Sequence, residues 1–191
     1  MSLVTLAPIS PEHAPTVQRL ASDPAVTATT NLPEPYPDGG AAAWIAYAAP
    51  RHAAGLEYVF AILAPTAPTV GGNGPEVLGV CGLVMPERPP ADAPAGADGV
   101  AEMGYWLGAE YWGRGYATAA CRALAAFAFA HTTISAIDAF PLAENRASCR
   151  VLEKLGAVLV GIVPNTYPKW AADRLLAHYR LVRAAVDAPP A

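Results

Sequence analysis

The sequence predicts an α+β fold with a mixed, mostly antiparallel sheet of six to seven strands flanked by about four helices. Two observations carry this. Strand-like runs recur through the first half, and from residue 101 onward strand, helix, strand, helix, strand, strand follow in turn, which calls for a sheet with helices packed on it. A chain of 191 residues and 19.8 kDa with 53% apolar residues suits one domain with a sizeable core. Residues 1–185 read as that domain and 186–191 as a flexible tail, with no internal repeat or linker.

Leu3 to Ala7 reads as a first strand. Ser10 fits an N-cap and Pro11 the first turn of a helix that carries Val17 and Leu20 and ends by Asp23 and Pro24. Asn31 to Gly40, NLPEPYPDGG, is too rich in proline for regular structure. A helix with Trp44, Ile45 and Tyr47 follows from about Gly40 to Arg51. Leu56 to Leu63 and Val77 to Met85 read as antiparallel strands joined by a long hairpin, and Pro86 to Gly99 as a flexible or extended loop.

The chain is organised around Gly99 to His131. In the strand Ala101 to Leu107, Ala101, Met103, Tyr105 and Leu107 face one way and Glu102, Gly104 and Trp106 the other. Both sets are largely apolar, so a central strand covered on both faces is expected. Glu102 is the exception, a carboxylate whose burial is expected to raise its pKa. The turn Trp112 to Thr118 places Gly113 and Gly115 around Arg114, and a helix begins at about Arg114 to Tyr116. That helix is nearly uncharged from Tyr116 to Ala130, so it is expected to pack on the sheet with its other side covered too. First-turn amides without intrahelical partners, the positive end of the helix dipole, the Thr118 hydroxyl and the Arg114 charge together suit a pyrophosphate. A simple tight turn accounts for the glycines equally well. Neither G-x-x-x-x-G-K-[ST] nor G-x-G-x-x-G is present.

Ile134 to Phe140 reads as a fifth strand. From Leu142, LAENRASCRVLEKLG reads as a helix with Asn145, Ser148, Val151, Leu152 and Leu155 on one face and Arg146, Arg150, Glu153 and Lys154 on the other. Gly156 fits a left-handed cap. Asn145 and Ser148 therefore lie on the core-facing side, where polar groups need partners, whether the helix N-terminus, each other or a ligand. Ala157 to Val163 and Leu175 to Val182 complete the strands, with Tyr167, Pro168 and Trp170 between them.

Composition excludes several classes. Cys81, Cys121 and Cys149 are odd in number and far apart, which fits core packing better than a disulfide framework, a metal cluster or a nucleophile, and no metal is expected. The N-terminus has neither a basic region nor a long apolar run, and no window reads as a membrane span, so a cytoplasmic protein is expected. A net charge of −4 argues against nucleic-acid binding, mildly disfavours a polyanionic ligand and mildly favours a cationic one.

WGRGYAT preceded by AEMGYWL resembles the acetyl-CoA site of the GNAT superfamily of N-acetyltransferases, whose signature is Q/R-x-x-G-x-G/A. Gly115 and Ala117 fill its last two slots, and Trp112 stands where Gln or Arg is usual. Asn145-x-x-Ser148 ahead of VLEKLG resembles the Rim-type branch, the ribosomal-protein-alanine N-acetyltransferases. That resemblance plausibly spans residues 3–183 and implies a GNAT-like fold with acetyl-CoA as co-substrate. It places the amides of Gly113, Arg114, Gly115, Tyr116, Ala117 and Thr118 on the pyrophosphate, and those of Leu107, Gly108 and Ala109 along the pantetheine arm where the central strand splays. An N–H near Leu107 or Gly108 would polarise the thioester carbonyl. Asn145 would bind the cofactor arm and Ser148 would face the sulfur. The loop carrying Glu34 and Tyr36 overhangs the acceptor in that family, so these two are candidate substrate contacts, although ordinary loop roles fit them as well. Glu102 is the best candidate base, with a core pairing to an arginine as the other reading. Family analogy also suggests a homodimer through a sheet edge.

Proton arithmetic bears on the acceptor. An α-amine with a pKa of about 8 is substantially neutral near pH 7.5, whereas a lysine lies about three units away, roughly 4 kcal/mol. A single base handles the first more easily. The resemblance therefore implies acetyl transfer to a protein or peptide N-terminal α-amine. The same chemistry on a polyamine, amino acid or aminoglycoside, or a non-catalytic acyl-CoA-binding module, are the alternatives.

Overall fold

A computed structural model describes residues 3–65, 75–85 and 99–183. The hairpin connection 66–74, the loop 86–98 and the tail 186–191 read from the sequence lie outside the described residues.

Every strand run of the sequence joins one sheet in the order β1-β2-β3-β4-β5-β7-β6. The strands are β1 (Thr5–Pro8), β2 (Glu57–Leu63), β3 (Val77–Val84), β4 (Val100–Leu107), β5 (Ala136–Ala139), β6 (Val158–Pro164) and β7 (Leu175–Val182). All neighbours are antiparallel except β4 and β5. The helices are α1 (Ala14–Ala21), α2 (Pro24–Thr27), α3 (Gly40–Ala53), α4 (Tyr116–His131) and α5 (Arg146–Leu155).

Local departures from the sequence reading have local causes. Ser10 and Pro11 open a 3-10 turn, Pro11–His13, and the α-helix begins only at Ala14. Where one helix was expected to end, Asp23 caps a further short one, accepting from Ala25 N at 2.9 Å, with Pro24 at its first position. The fifth strand is shorter than Ile134 to Phe140. Helix α5 starts at Arg146, because Asn145 is its N-cap rather than a residue of its apolar face. Gly156 closes α5 at φ +89°, the left-handed conformation that favours glycine.

Alternation sorts the side chains into two layers. Phe60, Ile62, Cys81, Leu83, Ala101, Met103 and Leu107 point to one face and are buried under Ala120, Cys121, Leu124, Ala125 and Ala128 of α4 and Cys149 and Leu152 of α5. All three cysteines are buried there as free thiols. The outer side of α4 is not covered as expected: Arg122, Ala126 and Ala130 are exposed. Alanine favours the helix by propensity, so an uncharged outer face needs no partner layer. On the opposite face Val59, Ala61 and Val80 pack against Val17 of α1 and Ala41, Ile45 and Ala48 of α3.

That second layer stops short of β4. Glu102 and Gly104 are exposed and Trp106 is half-buried, so the central strand is not covered on both sides and Glu102 is not a buried carboxylate. The apolar alternation misled because glycine and tryptophan line an open cleft as readily as they fill a core.

Candidate active site

The parallel pairing of β4 with β5 runs only over Val100, Ala101 and Glu102 against Ala136, Ile137 and Asp138. Beyond Glu102 the strands part while β4 stays paired with β3 to Leu107. Gly108 N donates to Leu78 O at 2.9 Å. In a strand successive amides alternate sides, so the N–H groups of Leu107 and Tyr105 face the gap that β5 has left. Gly108 is thereby corrected as a thioester donor, since its amide is already engaged on β3.

Helix α5 opens at this gap. The Asn145 side chain accepts from Ser148 N at 3.1 Å, which satisfies a first-turn amide and leaves the carboxamide NH2 as the group free to meet a ligand. Ser148 Oγ lies 2.7 Å from the Tyr105 hydroxyl, which also donates to Ser148 O at 3.1 Å. Burial holds the Tyr105 phenol well above its usual range, the hydrogen bond to Ser148 opposing this only in part, so it stays a protonated donor. The pair closes the gap from β4 to α5.

Two cavities meet at this junction. The first, about 420 Å³, is lined by Leu107, Tyr111, Trp112, Gly113, Gly115, Tyr116, Ala117 and Thr118 on one side and Asn145, Ser148, Arg150, Val151 and Lys154 of α5 on the other. Gly113 and Gly115 have φ of +74° and +81°. The left-handed Gly115 is the N-cap of α4 and has no side chain to cap it, and the first intrahelical bond there is Ala119 N to Gly115 O. The amides of Tyr116, Ala117 and Thr118 are thus the bare end of a 16-residue helix. Trp112 donates its indole N–H to Leu107 O at 2.9 Å and so pins the turn to the end of β4. Arg114 is exposed, and neither it nor Gly108 or Ala109 lines the cavity. The positive charge at the rim comes instead from Arg150 and Lys154, four residues apart on α5. A bare helix end beside two cations fits a phosphate-rich ligand such as CoA.

The second cavity, about 330 Å³, lies on the open face of the sheet. Gly82 and Gly104, paired across β3 and β4, are part of its floor, and Trp44, Trp106, Phe140, Tyr167 and Trp170 supply aromatic walls. Glu102 lines it and accepts from the Tyr167 hydroxyl at 2.7 Å, not from an arginine. Burial, then the Glu102 carboxylate, raises the Tyr167 phenol above its usual range, so it remains the donor. Glu57 also lines the cleft, but Arg51 neutralises it at 2.9 Å. Thr29, Thr30, Tyr105, Trp106, Asn145 and Ser148 border both cavities.

Glu34 and Tyr36 line neither cavity. Glu34 lies 3.6 Å from Lys169, and Tyr36 packs against the α1–α3 core, where burial raises its pKa. Sequence reasoning overlooked Tyr105, Arg150, Lys154, Tyr167 and Trp170. A buried tyrosine hydroxyl needs a partner, and that signal was available for Tyr105. The others depend on which elements the fold brings together. Among the described residues no cluster of three or more His, Cys, Asp or Glu side chains has the geometry of a metal site, and no helix is long and apolar enough to cross a membrane.

Residues 4–158 match the family of acetyltransferase (GNAT) domains. The uncharacterized N-acetyltransferase p20 of Bacillus licheniformis is 33% identical over 104 residues, which span 54% of this chain and 53% of that protein, about half the length of the relative. Three solved structures share the fold. The ribosomal L7/L12 α-N-protein acetyltransferase RimL in complex with coenzyme A is 17% identical with a TM-score of 0.77, over 97% of each chain. The ribosomal-protein-S5-alanine acetyltransferase of Vibrio fischeri is 18% identical with a TM-score of 0.75, over 100% of this chain and 97% of that one. The spermidine N-acetyltransferase of Vibrio cholerae in complex with CoA and spermine is 13% identical with a TM-score of 0.74, over 97% and 99%. At these identities the likeness is one of fold.

Proposed function

The chain belongs to the GNAT acetyltransferases, and from that premise we propose that it transfers acetyl from acetyl-CoA directly to the α-amine of a protein or peptide N-terminus. One observation carries the reading: a cavity with a bare helix end and a cationic rim meets a cleft with a carboxylate, and Tyr105 and Ser148 stand at the junction.

In this reading the amides of Tyr116, Ala117 and Thr118 hold the pyrophosphate, Arg150 and Lys154 add charge at the rim, and the pantetheine arm enters the gap beside Leu107 and Asn145. The Leu107 amide polarises the thioester carbonyl. The amine nitrogen bonds to the carbonyl carbon while the C–S bond breaks. Its proton passes to Glu102, directly or through a water, and from there to solvent, while the Ser148 hydroxyl donates a hydrogen bond to the departing thiolate, which takes up a proton from solvent. Tyr105 holds the Ser148 hydroxyl in place, and Tyr167 orients the Glu102 carboxylate.

The acceptor follows from charge. Among the described residues lining the cleft, Glu102 is the carboxylate without a cationic partner, since Glu57 is paired with Arg51. One negative charge suits a single amine, whereas a polyamine calls for several. The exposed apolar residues of edge strand β6, Val158, Leu159, Val160 and Ile162, support the homodimer reading, which the mass in solution decides.

The test is a thermal-shift titration with acetyl-CoA, CoA and ATP, followed by thiol release with a free α-amine peptide, an N-blocked lysine peptide and spermidine. Saturable stabilisation by acetyl-CoA and turnover on the α-amine peptide are expected. Stabilisation without turnover on any amine would favour a non-catalytic acyl-CoA-binding module. Preference for spermidine would move the acceptor to polyamines.

A further inference from the structure

Lys169 lies between β6 and β7 and takes no part in the transfer described above. Its side chain is 15% exposed, and its Nζ donates to the carbonyls of Thr27, Thr30 and Leu32, with Glu34 Oε2 at 3.6 Å. An ammonium has three N–H donors, and here all three are taken up by one short stretch of backbone at and beyond the end of α2.

That stretch and the loop of Lys169 both form walls of the acceptor cleft. Thr29, Thr30, Asn31 and Leu32 line it from the first, Tyr167 and Trp170 from the second. The loop is internally braced: Asn165 Nδ2 donates to Tyr167 O and Trp170 O at 3.0 Å each, and Tyr167 N donates to Asn165 Oδ1 at 2.8 Å. Tyr167 and Trp170 also meet edge to face at 5.6 Å. A loop braced in this way shifts as a unit. If Lys169 lets go of that stretch, both aromatic residues move, and with them the hydroxyl that Tyr167 holds on Glu102.

We propose that Lys169 is a specificity-determining positioning residue, a clasp that fixes the separation of the two cleft walls and so restricts the acceptor to a slender amine-bearing end. The proposal rests on the acetyl-transfer reading. Its physical ground is that the cleft is small and bounded by bulky aromatics, so its selectivity depends on their spacing. That spacing is set by three charge-assisted hydrogen bonds from one ammonium.

The test compares Lys169→Met, which keeps an apolar stem and removes the donors, with Lys169→Arg, which keeps donors and charge. Acceptors are an alanyl and a tryptophanyl peptide. In the Met variant the KM for the alanyl peptide is expected to rise about fivefold or more, with the KM for acetyl-CoA held within about twofold. The preference for alanyl over tryptophanyl is expected to narrow, and Lys169→Arg to restore both. Amide exchange, measured without substrates, is expected to show residues 27–34 and 165–174 losing protection together in Lys169→Met. Equal rises in both KM values, or an unchanged preference, would overturn the proposal even if exchange quickens. Unchanged exchange in both segments would overturn it whatever the kinetics. A wild-type protein that transfers acetyl to no amine would defeat the acetyl-transfer reading instead, and the exchange result would then show separately whether the clasp exists.

Discussion

Ser148 and Tyr105 share a 2.7 Å hydrogen bond at the meeting point of the two cavities, and their variants should separate hydrogen-bond donation to the leaving group from positioning. Ser148→Ala removes the hydroxyl proposed to meet the departing sulfur. It is expected to lower kcat about 100-fold while leaving the KM for acetyl-CoA within about twofold. Tyr105→Phe keeps the ring and its packing and leaves Ser148 in place but unheld, so a smaller loss is expected. Thiol-release kinetics on both variants check this, and a fully active Ser148→Ala would remove the donor role. Ser148 was legible because a motif carries it. The partner of the Tyr105 hydroxyl was not, because alternation along β4 says only that residue 105 faces the helices, not that α5 begins against it. Asn145 shows the opposite error: its i, i+3 spacing placed it on a helix face, but its side chain caps the helix.

At the level of elements, the open face of the sheet depends on a pair of residues without side chains. Gly104 sits beside Gly82 on the cleft floor, and a Cβ built on it meets nothing within 4 Å. Gly104→Val therefore introduces no backbone clash, and a β-branched residue suits a strand, so the fold should be kept or slightly stabilised. The side chain would occupy the cleft. Turnover of the α-amine peptide is expected to fall about tenfold or more in kcat/KM, with thermal stabilisation by acetyl-CoA preserved. Undiminished turnover would show that the acceptor does not enter by this face. The helix ends follow a similar economy. Lys169 takes the carbonyls at the end of α2, and Arg183 donates to Phe129 O, Thr132 O and Ile134 O at the end of α4. Both caps come from remote strands or loops, which a local reading of helix termini cannot find.

Across the whole molecule, one row of the sheet carries charge. Glu102 on β4 pairs in register with Asp138 on β5, and Asp138 with Arg180 on β7. Arg180 grips the Asp138 carboxylate with bonds of 2.7 and 2.6 Å, and His178 Nε2 lies 2.9 Å from it. Burial alone would raise the Asp138 pKa, but the paired hydrogen bonds and the charge of Arg180, with His178 alongside, outweigh it and hold the carboxyl below its ordinary 3.8. A pKa depressed in the folded state contributes stability that is fully present above the unfolded value and is lost as pH falls through the folded one. Asp138→Asn should therefore destabilise the protein at neutral pH by about 2 to 3 kcal/mol, below the roughly 3 to 5 kcal/mol for breaking a fully buried pair because Arg180 is partly exposed. It should also flatten the loss of stability below about pH 4. Denaturant melts of both proteins between pH 3 and 7 test this, and parallel curves would remove Asp138 from the acid limb.

The order of strands and helices, the left-handed glycine at 156, the buried cysteines and the uncapped end of α4 were all written in the chain locally. Each follows from periodicity, backbone sterics or unsatisfied amides over a few neighbouring residues, so no distant contact is needed to infer it. Glu102 facing a cleft and not a core, its partner Tyr167, the cationic rim from α5 and the Lys169 clasp were beyond that reach. They depend on where β4 and β5 part and on which loops then meet across the opening. That is a balance of contacts between segments distant in sequence, and no local pattern records it.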